Sequence, residues 1–525
     1  MLQHQPCQSI IEGESVSEAK NAAVVGPRPS HSLVVSIRKA AFSAKGDMKN
    51  PNVSRPPILT ELDCQNGISE AMASGMPTSS RPGFSSWLPP IFLIGALTLS
   101  LTLNWCFIDN TWTKVFWTIF IFRYTRLIVQ PDPAFSRSDV TVILPTIDPN
   151  GPDFQECIRS ILRNQPSTIL VVTVGQKLRN ECQAVLQQLH QEAQSTRIAV
   201  TALPQPSKRR QISHAIPHVD TPITILADDH VFWPSENFIP SVLAPFENQA
   251  VGVFATKKRV RRTTPGQWNW PSIVNFIACN YLQRHNWELR ASNAIDGGVF
   301  VVSSRTAVYR TEFFEDKELL ERVCNEKFFF GLFGGGEGLG PDHDNFLTRE
   351  ILKKGWLIRF QDTEDAIVET TLGEWPKFRG QLIRWARTTF RSNPAMLRDP
   401  SFLGRYFWSA FMVYWAGIVN FALLWDALLI GALVKSTGTG FAELMLLLIW
   451  IFFTKMIKII PNLCRDPSDF SLVICQIAFA YIHSFIKLWA LVTFWGCDSS
   501  GKNLDDVNDG RELAGLDISL HFIEN

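Results

Sequence analysis

The stretch PITILADDH, residues 222–230, decides the fold of this 525-residue chain. Its first six residues are mostly apolar or β-branched, a pattern that predicts a short strand buried on both faces. Two carboxylates and an imidazole follow at once, at Asp228, Asp229 and His230. Such a triplet is either a plain strand-to-loop exit or a site for Mg²⁺ or Mn²⁺ beside a diphosphate, because oxygen and imidazole ligands suit these ions.

Three further apolar strands precede this stretch, and segments with helical periodicity separate them. Strands are predicted at residues 139–146, 168–174 and 198–203, and helices at 154–161 and 185–190. Alternation of strands and helices implies parallel pairing, with ligands bound at the carboxyl ends of the strands. The sequence therefore predicts an α/β domain with a Rossmann-like, mostly parallel sheet over residues 131–375.

Composition excludes some classes of function. The 50 Lys and Arg residues balance 49 Asp and Glu, so the net charge of +1 gives no whole-chain attraction for nucleic acid. The 10 cysteines contain no C-x-x-C pair and no zinc spacing, which indicates thiols in a reducing cytosolic environment. A charged fraction of 19% beside 37 Phe and 17 Trp indicates that apolar segments are concentrated in part of the chain.

Membrane segments are predicted before the α/β domain. Residues 1–85 lack apolar periodicity and are predicted to be a disordered tail. Within residues 86–130, the run 88–107 has the roughly 20 apolar residues needed to cross a bilayer, and 111–129 is either a second span or an interfacial helix. Basic residues after the first span place the α/β domain in the cytosol. The tail is then extracytosolic, where Asn52 of an N-x-S sequon is open to glycosylation.

Further membrane segments are predicted after the α/β domain. They comprise an interfacial region at 376–403, a transmembrane hairpin at 404–460 with its first span at 406–425, an interfacial or re-entrant segment at 461–494, and a tail at 495–525. Residues 470–494 are long enough to cross but contain His483 and Lys487. A full crossing there would also remove the following loop from the cytosol. We expect an integral membrane protein, in the plasma membrane.

Three motifs resemble those of the family 2 glycosyltransferases, inverting nucleotide-sugar enzymes that include hyaluronan, chitin and cellulose synthases. The triplet at 228–230 stands where the family has D-x-D, residues 340–348 (GPDHDNFLT) resemble its second acidic motif, and residues 381–385 (QLIRW) match its Q-x-x-R-W. The resemblance covers roughly residues 138–502, and is to fungal hyaluronan- and chitin-synthase-like polysaccharide synthases in particular. It implies a GT-A fold, a divalent metal and a UDP-sugar donor.

The resemblance also assigns roles to single residues. Asp344 is the expected catalytic base and Asp342 the alternative, although both could instead cap the helix that begins at Asn345. Donor binding is expected at Thr146, Lys208, Arg209, Asp228, Gln381 and Arg384, metal binding at Asp228, Asp229 and His230, acceptor binding at Trp385, Gly297 and Gly298, and gating at Trp495 and Gly496.

The chain departs from the family pattern at three places. Histidine replaces the commoner aspartate at position 230, and Cys497 and Asp498 alter the gating motif. The second strand ends without the aspartate that contacts uracil, and Asp148 is the candidate to replace it. A basic run at residues 257–262 is predicted to face anionic lipid headgroups.

We therefore expect an inverting, processive glycosyltransferase that builds an extracellular or cell-wall polysaccharide, with possible coupled export. Its partners are the nucleotide sugar, the growing glycan and the bilayer, with no nucleic acid. Two alternatives remain open: a single-sugar transferase to a lipid, like the ceramide glucosyltransferases, and a catalytically inactive membrane scaffold. Neither the sugar, the linkage nor the oligomeric state follows from the sequence.

Overall fold

The computed structural model describes residues 129, 132–191, 195–328, 342–436, 440–496 and 518–523. The predictions made for residues 1–128 (the tail, Asn52, the first span and nearly all of the second segment) lie outside this set, as do Cys497 and Asp498.

The described residues contain a ten-stranded sheet with strand order β10-β3-β2-β1-β4-β7-β6-β9-β5, in which β8 also pairs with β6. The strands are β1 Val140–Pro145, β2 Thr168–Val174, β3 Arg197–Leu203, β4 Ile223–Ala227, β5 Val231–Phe232, β6 Val251–Val260, β7 Thr306–Arg310, β8 Leu357–Gln361, β9 Ile367–Thr370 and β10 His521–Phe522.

The four predicted strands form the parallel half of the sheet, in the order β3-β2-β1-β4. Every residue of β1, β2 and β4 is buried, which explains why these strands are near-continuous apolar runs. The other half is mixed, because β7 runs antiparallel to both β4 and β6 while β8 and β9 run parallel to β6. The α/β class is confirmed, and the sheet is mixed rather than mostly parallel.

Helices pack around this sheet and continue beyond it. Those of the sheet domain are α1 Pro152–Leu162, α2 Gly175–His190, α3 Lys208–Ala215, α4 Phe238–Leu243, α5 Trp270–Asp296, α6 Lys317–Cys324 and α7 His343–Lys353. Those after it are α8 Lys377–Arg391, α9 Asn393–Leu397, α10 Pro400–Arg405, α11 Phe407–Met412, α12 Ala422–Lys435, α13 Phe441–Met456, α14 Ile460–Arg465 and α15 Val473–Leu491.

The predicted first span of the hairpin, residues 406–425, is broken in the structure. Helix α11 and its π-helical continuation Val413–Val419 meet α12 at 84°. The Lys487 ammonium donates to the main-chain oxygens of Ala416 (3.4 Å) and Asn420 (2.9 Å), so a side chain bonds the carbonyls at the break. The apolar helices joined near residue 440 are therefore α12 and α13, and the pair begins at residue 422 rather than 404.

Within the described part of the chain, one helical stretch, Pro467–Leu491, is long and apolar enough to cross a membrane. The bent pair Phe407–Val419 and Ala422–Lys435 is a second candidate if it is counted as one span. The first stretch lies in the segment predicted to be interfacial or re-entrant. Length and composition alone identify it, so the membrane topology stays a prediction.

Four of the five basic residues in the run 257–262 pair with carboxylates of the protein instead of facing outward as predicted. Lys257 and Arg259 of β6, and Arg261 just after it, reach acids on neighbouring elements, and Arg262 forms a buried bidentate pair. The pairs are Lys257–Asp362 (2.5 Å), Arg259–Glu369 (3.0 Å), Arg261–Glu156 (2.7 Å) and Arg262–Asp469 (2.7 Å). Partners that lie far along the chain neutralise these charges, which the run by itself does not reveal.

Candidate active site

A cavity of about 1020 Å³ lies where β1 and β4 end and where α3 and α7 begin. Its position agrees with the expectation that ligands bind at the carboxyl ends of parallel strands. Most of the predicted site residues line it together, although they come from segments far apart in the sequence. These residues are Thr146, Lys208, Asp228, Asp229, His230, Asp342, Asp344, Gln381, Arg384 and Trp385.

The two carboxylates after β4 are held by different partners. Asp228 accepts a hydrogen bond from the Lys208 ammonium through Oδ1, and its N–H donates to the Arg305 carbonyl at 3.0 Å. Asp229 Oδ2 accepts from the Thr146 hydroxyl at 2.9 Å. Burial alone would raise the pKa of Asp228, but the charges of Lys208, His230 and Arg305 lower it to about 2. The carboxylate is therefore ionised at any physiological pH.

His230 lies between the two carboxylates. Its Nδ1 is 3.0 Å from Asp229 Oδ1, and its Nε2 is 4.0 Å from Asp228 Oδ2. Among the residues that the structure describes, no three His, Cys, Asp or Glu side chains converge as metal ligands. The imidazole thus lies within hydrogen-bonding distance of Asp229, and its role as a third metal ligand stays a prediction. Two carboxylates still fit a divalent ion whose remaining ligands are diphosphate oxygens and water.

The two acids of the second motif have different surroundings. Asp342 is buried, accepts from Arg391 Nε at 2.7 Å and from Thr388 Oγ1 at 2.5 Å, and precedes α7 with φ 69°. Asp344 lies in the first turn of α7 and accepts from the N–H of Asn345 at 3.0 Å. The Asp342 carboxylate is therefore engaged by Arg391 and Thr388, whereas Asp344 lines the cavity and accepts from the main chain.

The pKa of the Asp344 carboxyl lies above its ordinary value. Burial raises it most and the nearby Asp342 charge raises it further, while Lys208 and Arg384 oppose the shift. A carboxylate with a raised pKa holds a proton better, which suits a general base.

The Q-x-x-R-W motif lies within α8, and its aromatic ring is part of a stack. Tyr281 of α5 stacks on Trp385 with centroids 5.5 Å apart, and the Arg305 guanidinium lies 5.4 Å from the indole centroid. Gln381 and Arg384 line the same cavity. Because Tyr281 and Arg305 already contact the indole, only part of Trp385 is available to a sugar.

Arg209 does not reach the cavity as predicted. Its guanidinium is buried and donates to the Val323 carbonyl at 2.7 Å and to Glu326 at 2.8 Å. Lys208 and Arg210 line the cavity instead. Adjacent residues of a helix point in different directions, so Lys208, Arg209 and Arg210 cannot all face the cavity. Arg209 faces the protein core.

The two predicted acceptor glycines also lie away from the cavity. Gly297 ends α5 in the left-handed conformation, with φ 80°. A Cβ on Gly298 would meet Ser409 Oγ at 2.6 Å, so this glycine permits α11 to approach the end of α5. No strand forms at residues 299–302, and the next strand is β7.

The predicted gating residues follow α15 and contact α8 from outside the cavity lining. A Cβ on Gly496 would meet Arg387 Nη1 at 2.6 Å, and the Trp495 ring is about half exposed. Asp148, the candidate for uracil recognition, likewise does not line the cavity.

Four further basic side chains line the cavity: Lys258, Arg284, His285 and Arg305. Of these, Lys258 alone belongs to a stretch noted in the sequence, the basic run at 257–262, and it was not expected at the site. Side chains alternate between the two faces of a strand, and Lys258 lies on the same face of β6 as the buried Phe254 and Thr256. This alternation could have predicted that Lys258 is buried. The other three come from α5 and from the turn before β7, and they carry no local signal.

Several known proteins are similar to this chain. Residues 138–388 match the family model "Glycosyltransferase like family 2". The chain is similar to a type 2 glycosyltransferase of Gibberella zeae (32% identity, 81% of this chain and 82% of the relative) and to one of Zymoseptoria tritici (36%, 77% and 87%). It is also similar to the NDP-glycosyltransferase ltbB of Aspergillus luteorubrus (27%, 51% and 64%). Among solved structures, a mannosyltransferase from Pyrobaculum calidifontis matches with TM-score 0.45 and 15% identity over 75% of this chain and 97% of that one.

Proposed function

The chain belongs to the family 2 glycosyltransferases, which use nucleotide sugars, and from that premise we propose that it is an inverting, processive enzyme that elongates a polysaccharide. The donor is a UDP-sugar, and the product is an extracellular or cell-wall glycan that leaves through the membrane-associated helices. The alternative of an inactive scaffold is set aside, because the chain's relatives are named as transferases.

The extent of the cavity carries this proposal. From Asp228 and Asp344 it continues past Trp385 to residues of α12, α13 and α15, among them Ala422, Thr454 and Ser484. Its volume of about 1020 Å³ is at the upper end of small-molecule sites, which reach roughly 1,000 Å³. There is room for a donor sugar and for several acceptor sugars beyond it, as elongation requires.

Donor binding is assigned to the end of the cavity next to α3. The Lys208 ammonium lies against the Asp228 carboxylate, which would hold the metal. It is therefore placed beside a diphosphate bound to that metal. Asp228 and Asp229 would hold Mg²⁺ or Mn²⁺, which neutralises the departing diphosphate when it is bound. Gln381 and Arg384 contribute further donors from α8.

Asp344 is assigned the proton transfer. An acceptor hydroxyl attacks the anomeric carbon from the face opposite the diphosphate, and inversion needs one carboxylate to take the hydroxyl proton. The raised pKa of Asp344 favours this role. Trp385 borders the acceptor side, where indole and sugar faces pack well.

A donor screen tests the proposal. Purified full-length protein in detergent is incubated with each UDP-sugar and Mn²⁺ or Mg²⁺, while UDP release and product size are measured. One donor should give metal-dependent UDP release and a product that grows with time, and Asp344→Asn should abolish both. A chloroform-soluble product carrying a single sugar would replace the processive reading with transfer to a lipid.

A further inference from the structure

Beyond Asp344, the wall of the cavity carries an excess of positive charge. Lys258 comes from β6, Arg284 and His285 from α5, and Arg305 from the turn before β7, and all four line the cavity. We refer to Lys258, Arg284 and Arg305 as the inner cation cluster. His285 lies beside it, and burial and the neighbouring positive charges hold the pKa of its imidazole well below the usual range, so that it is neutral at pH 7. The donor-binding Lys208 lies on α3, and its ammonium donates to Ser304 Oγ, next to Arg305, at 3.1 Å.

Two nitrogen atoms of this cluster lack a hydrogen-bond partner among the residues that the structure describes. Lys258 Nζ and Arg305 Nε are both buried without one, whereas Arg284 Nε lies 3.5 Å from Glu288 Oε1. Lys258 is only 1% exposed. An unpaired buried cation is costly, so a site that retains one is built for an anion from outside the chain.

Acids near the cluster do not balance its charge. Glu288 lies 3.5 Å from Arg284, and Asp228 is already paired with Lys208. Asp344 is the remaining carboxylate whose charge acts on Lys258. Burial and the Arg305 charge still lower the pKa of Lys258 to about 7, which means that repulsion and desolvation outweigh that attraction.

The protein holds Lys258 in place by its main chain. Asn286 of α5 accepts from the Lys258 N–H at 3.1 Å and donates to the Lys258 carbonyl at 2.6 Å. One amide side chain therefore fixes both main-chain groups of this residue. The side chain is directed into the cavity by a rigid strand, as a preorganised binding site requires.

Two aromatic rings are stacked between two of the cations on this wall. Arg305 lies 5.4 Å from the Trp385 centroid, Trp385 is 5.5 Å from Tyr281, and the Arg284 guanidinium lies 4.8 Å from the Tyr281 centroid. The stack orients both guanidinium groups, and guanidinium groups pair with carboxylates or phosphates.

We propose that the inner cation cluster binds an acidic group, carboxylate or phosphate, carried by the acceptor glycan. This inference rests on the proposed function and adds to it the chemical class of the acceptor. A glycan rather than an acyl or isoprenoid chain follows from the proposed elongation. Asn420, Thr454, Gln476 and Ser484 offer it hydrogen-bonding groups among apolar neighbours such as Ile477 and Phe479.

Binding to the full-length protein in detergent tests the proposal, with UDP and Mn²⁺ present to fill the donor end. The probes are trigalacturonate, maltotriose of equal length, and dodecyl phosphate. Variants Lys258→Met and Arg284→Gln remove one charge each. Lys177→Met, an exposed residue of α2, is the charge-matched control. Affinity for UDP is measured separately for every variant.

Wild type and Lys177→Met should bind trigalacturonate about tenfold more tightly than maltotriose, since a charge-assisted bond contributes that much. Each cluster variant should lose this preference while its affinity for UDP stays unchanged. Removing the unpaired Lys258 charge should also leave the melting temperature equal or higher, so loss of folding does not explain the result. Equal affinity for the two trisaccharides in wild type, an unchanged preference in Lys258→Met, or tighter binding of dodecyl phosphate than of trigalacturonate would each overturn the proposal. Absence of turnover with every UDP-sugar, by contrast, would refute the proposed function itself.

Discussion

Arg391 and Asp342 form a buried ion pair in which Arg391 Nε and Nη2 lie 2.7 and 2.6 Å from Asp342 Oδ2. The same guanidinium donates through Nη1 to the main-chain oxygens of Phe494 and Gly496, each at 3.0 Å. Asp342 directly precedes α7, the helix that carries Asp344. One arginine of α8 therefore connects the helix of the expected base with the segment after α15.

The first prediction separates the two acids of this motif. Asp342→Asn should lower the free energy of unfolding by about 3–5 kcal/mol, because it leaves the buried Arg391 without its counterion. Asp344→Asn should leave stability unchanged or higher, because the raised pKa means that burial disfavours the ionised carboxylate at neutral pH. Asp344→Asn should instead reduce kcat by about 100-fold or more. Thermal unfolding and UDP release, measured on both variants, check this; a folded, active Asp344→Asn would refute the assignment.

The second prediction concerns pH. The base must be ionised, so kcat/KM should fall with decreasing pH through a pKa above the ordinary 3.8 of an aspartate, in the direction that burial shifts Asp344. Asp228 does not contribute to this limb, because its pKa of about 2 keeps it ionised. Rates measured across the acid range, with unfolding followed at each pH, test this. An acid limb at or below pH 3.8 contradicts it.

The third prediction contrasts two adjacent basic residues of α3. Lys208→Met should weaken UDP binding by about tenfold, because a charge-assisted contact to the diphosphate is lost. Arg209→Met should instead destabilise the fold by about 3 kcal/mol, because the buried Arg209–Glu326 pair is broken. UDP titration and thermal unfolding of both variants measure the difference. Loss of UDP affinity in a fully stable Arg209→Met variant would show that Arg209 binds the donor and is not a structural residue.

The fourth prediction concerns the attachment of α15. Arg262 donates to both carboxylate oxygens of Asp469, at 2.8 and 2.7 Å, and both side chains are nearly inaccessible to solvent. Arg262→Met should lower the free energy of unfolding by about 3–5 kcal/mol, because Asp469 is left buried and charged. The double variant Arg262→Met/Asp469→Leu should recover much of this loss. Denaturation midpoints of the three proteins give the coupling; a double variant no more stable than the single one would argue against it.

Local patterns were sufficient for much of the fold. The strands β1 to β4 and helices α1, α2 and α7 lie where apolar runs and helical periodicity predicted them, because both signals arise from burial over a few consecutive residues. The edge strand β10 was not predicted. It pairs with β3 more than 300 residues earlier in the chain, and its two residues carry no pattern of their own.

The segments predicted to lie in or on a membrane were less accessible to the same reasoning. Uncharged length suggested one span at 406–425, whereas Tyr406, Ala410 and Val413 pack against the sheet domain. Hydropathy measures the tendency to leave water and does not distinguish lipid from protein interior. The packing of α11 against the end of α5, which Gly298 permits, therefore had no signal in the sequence, and whether the bent pair crosses a membrane stays a prediction.

The sequence by itself determined which chemical groups are available to the site: the carboxylates at 228 and 229 after β4, those at 342 and 344 at the start of α7, and the Q-x-x-R-W residues of α8. Tertiary structure alone decided which of these charges are already paired within the chain. It engaged Asp342 with Arg391, Arg209 with Glu326 and most of the basic run with distant acids, and it left Asp344 and Lys258 facing the cavity. The reason is physical, because the state of a buried charge depends on partners brought close by folding, and those partners lie tens to hundreds of residues away.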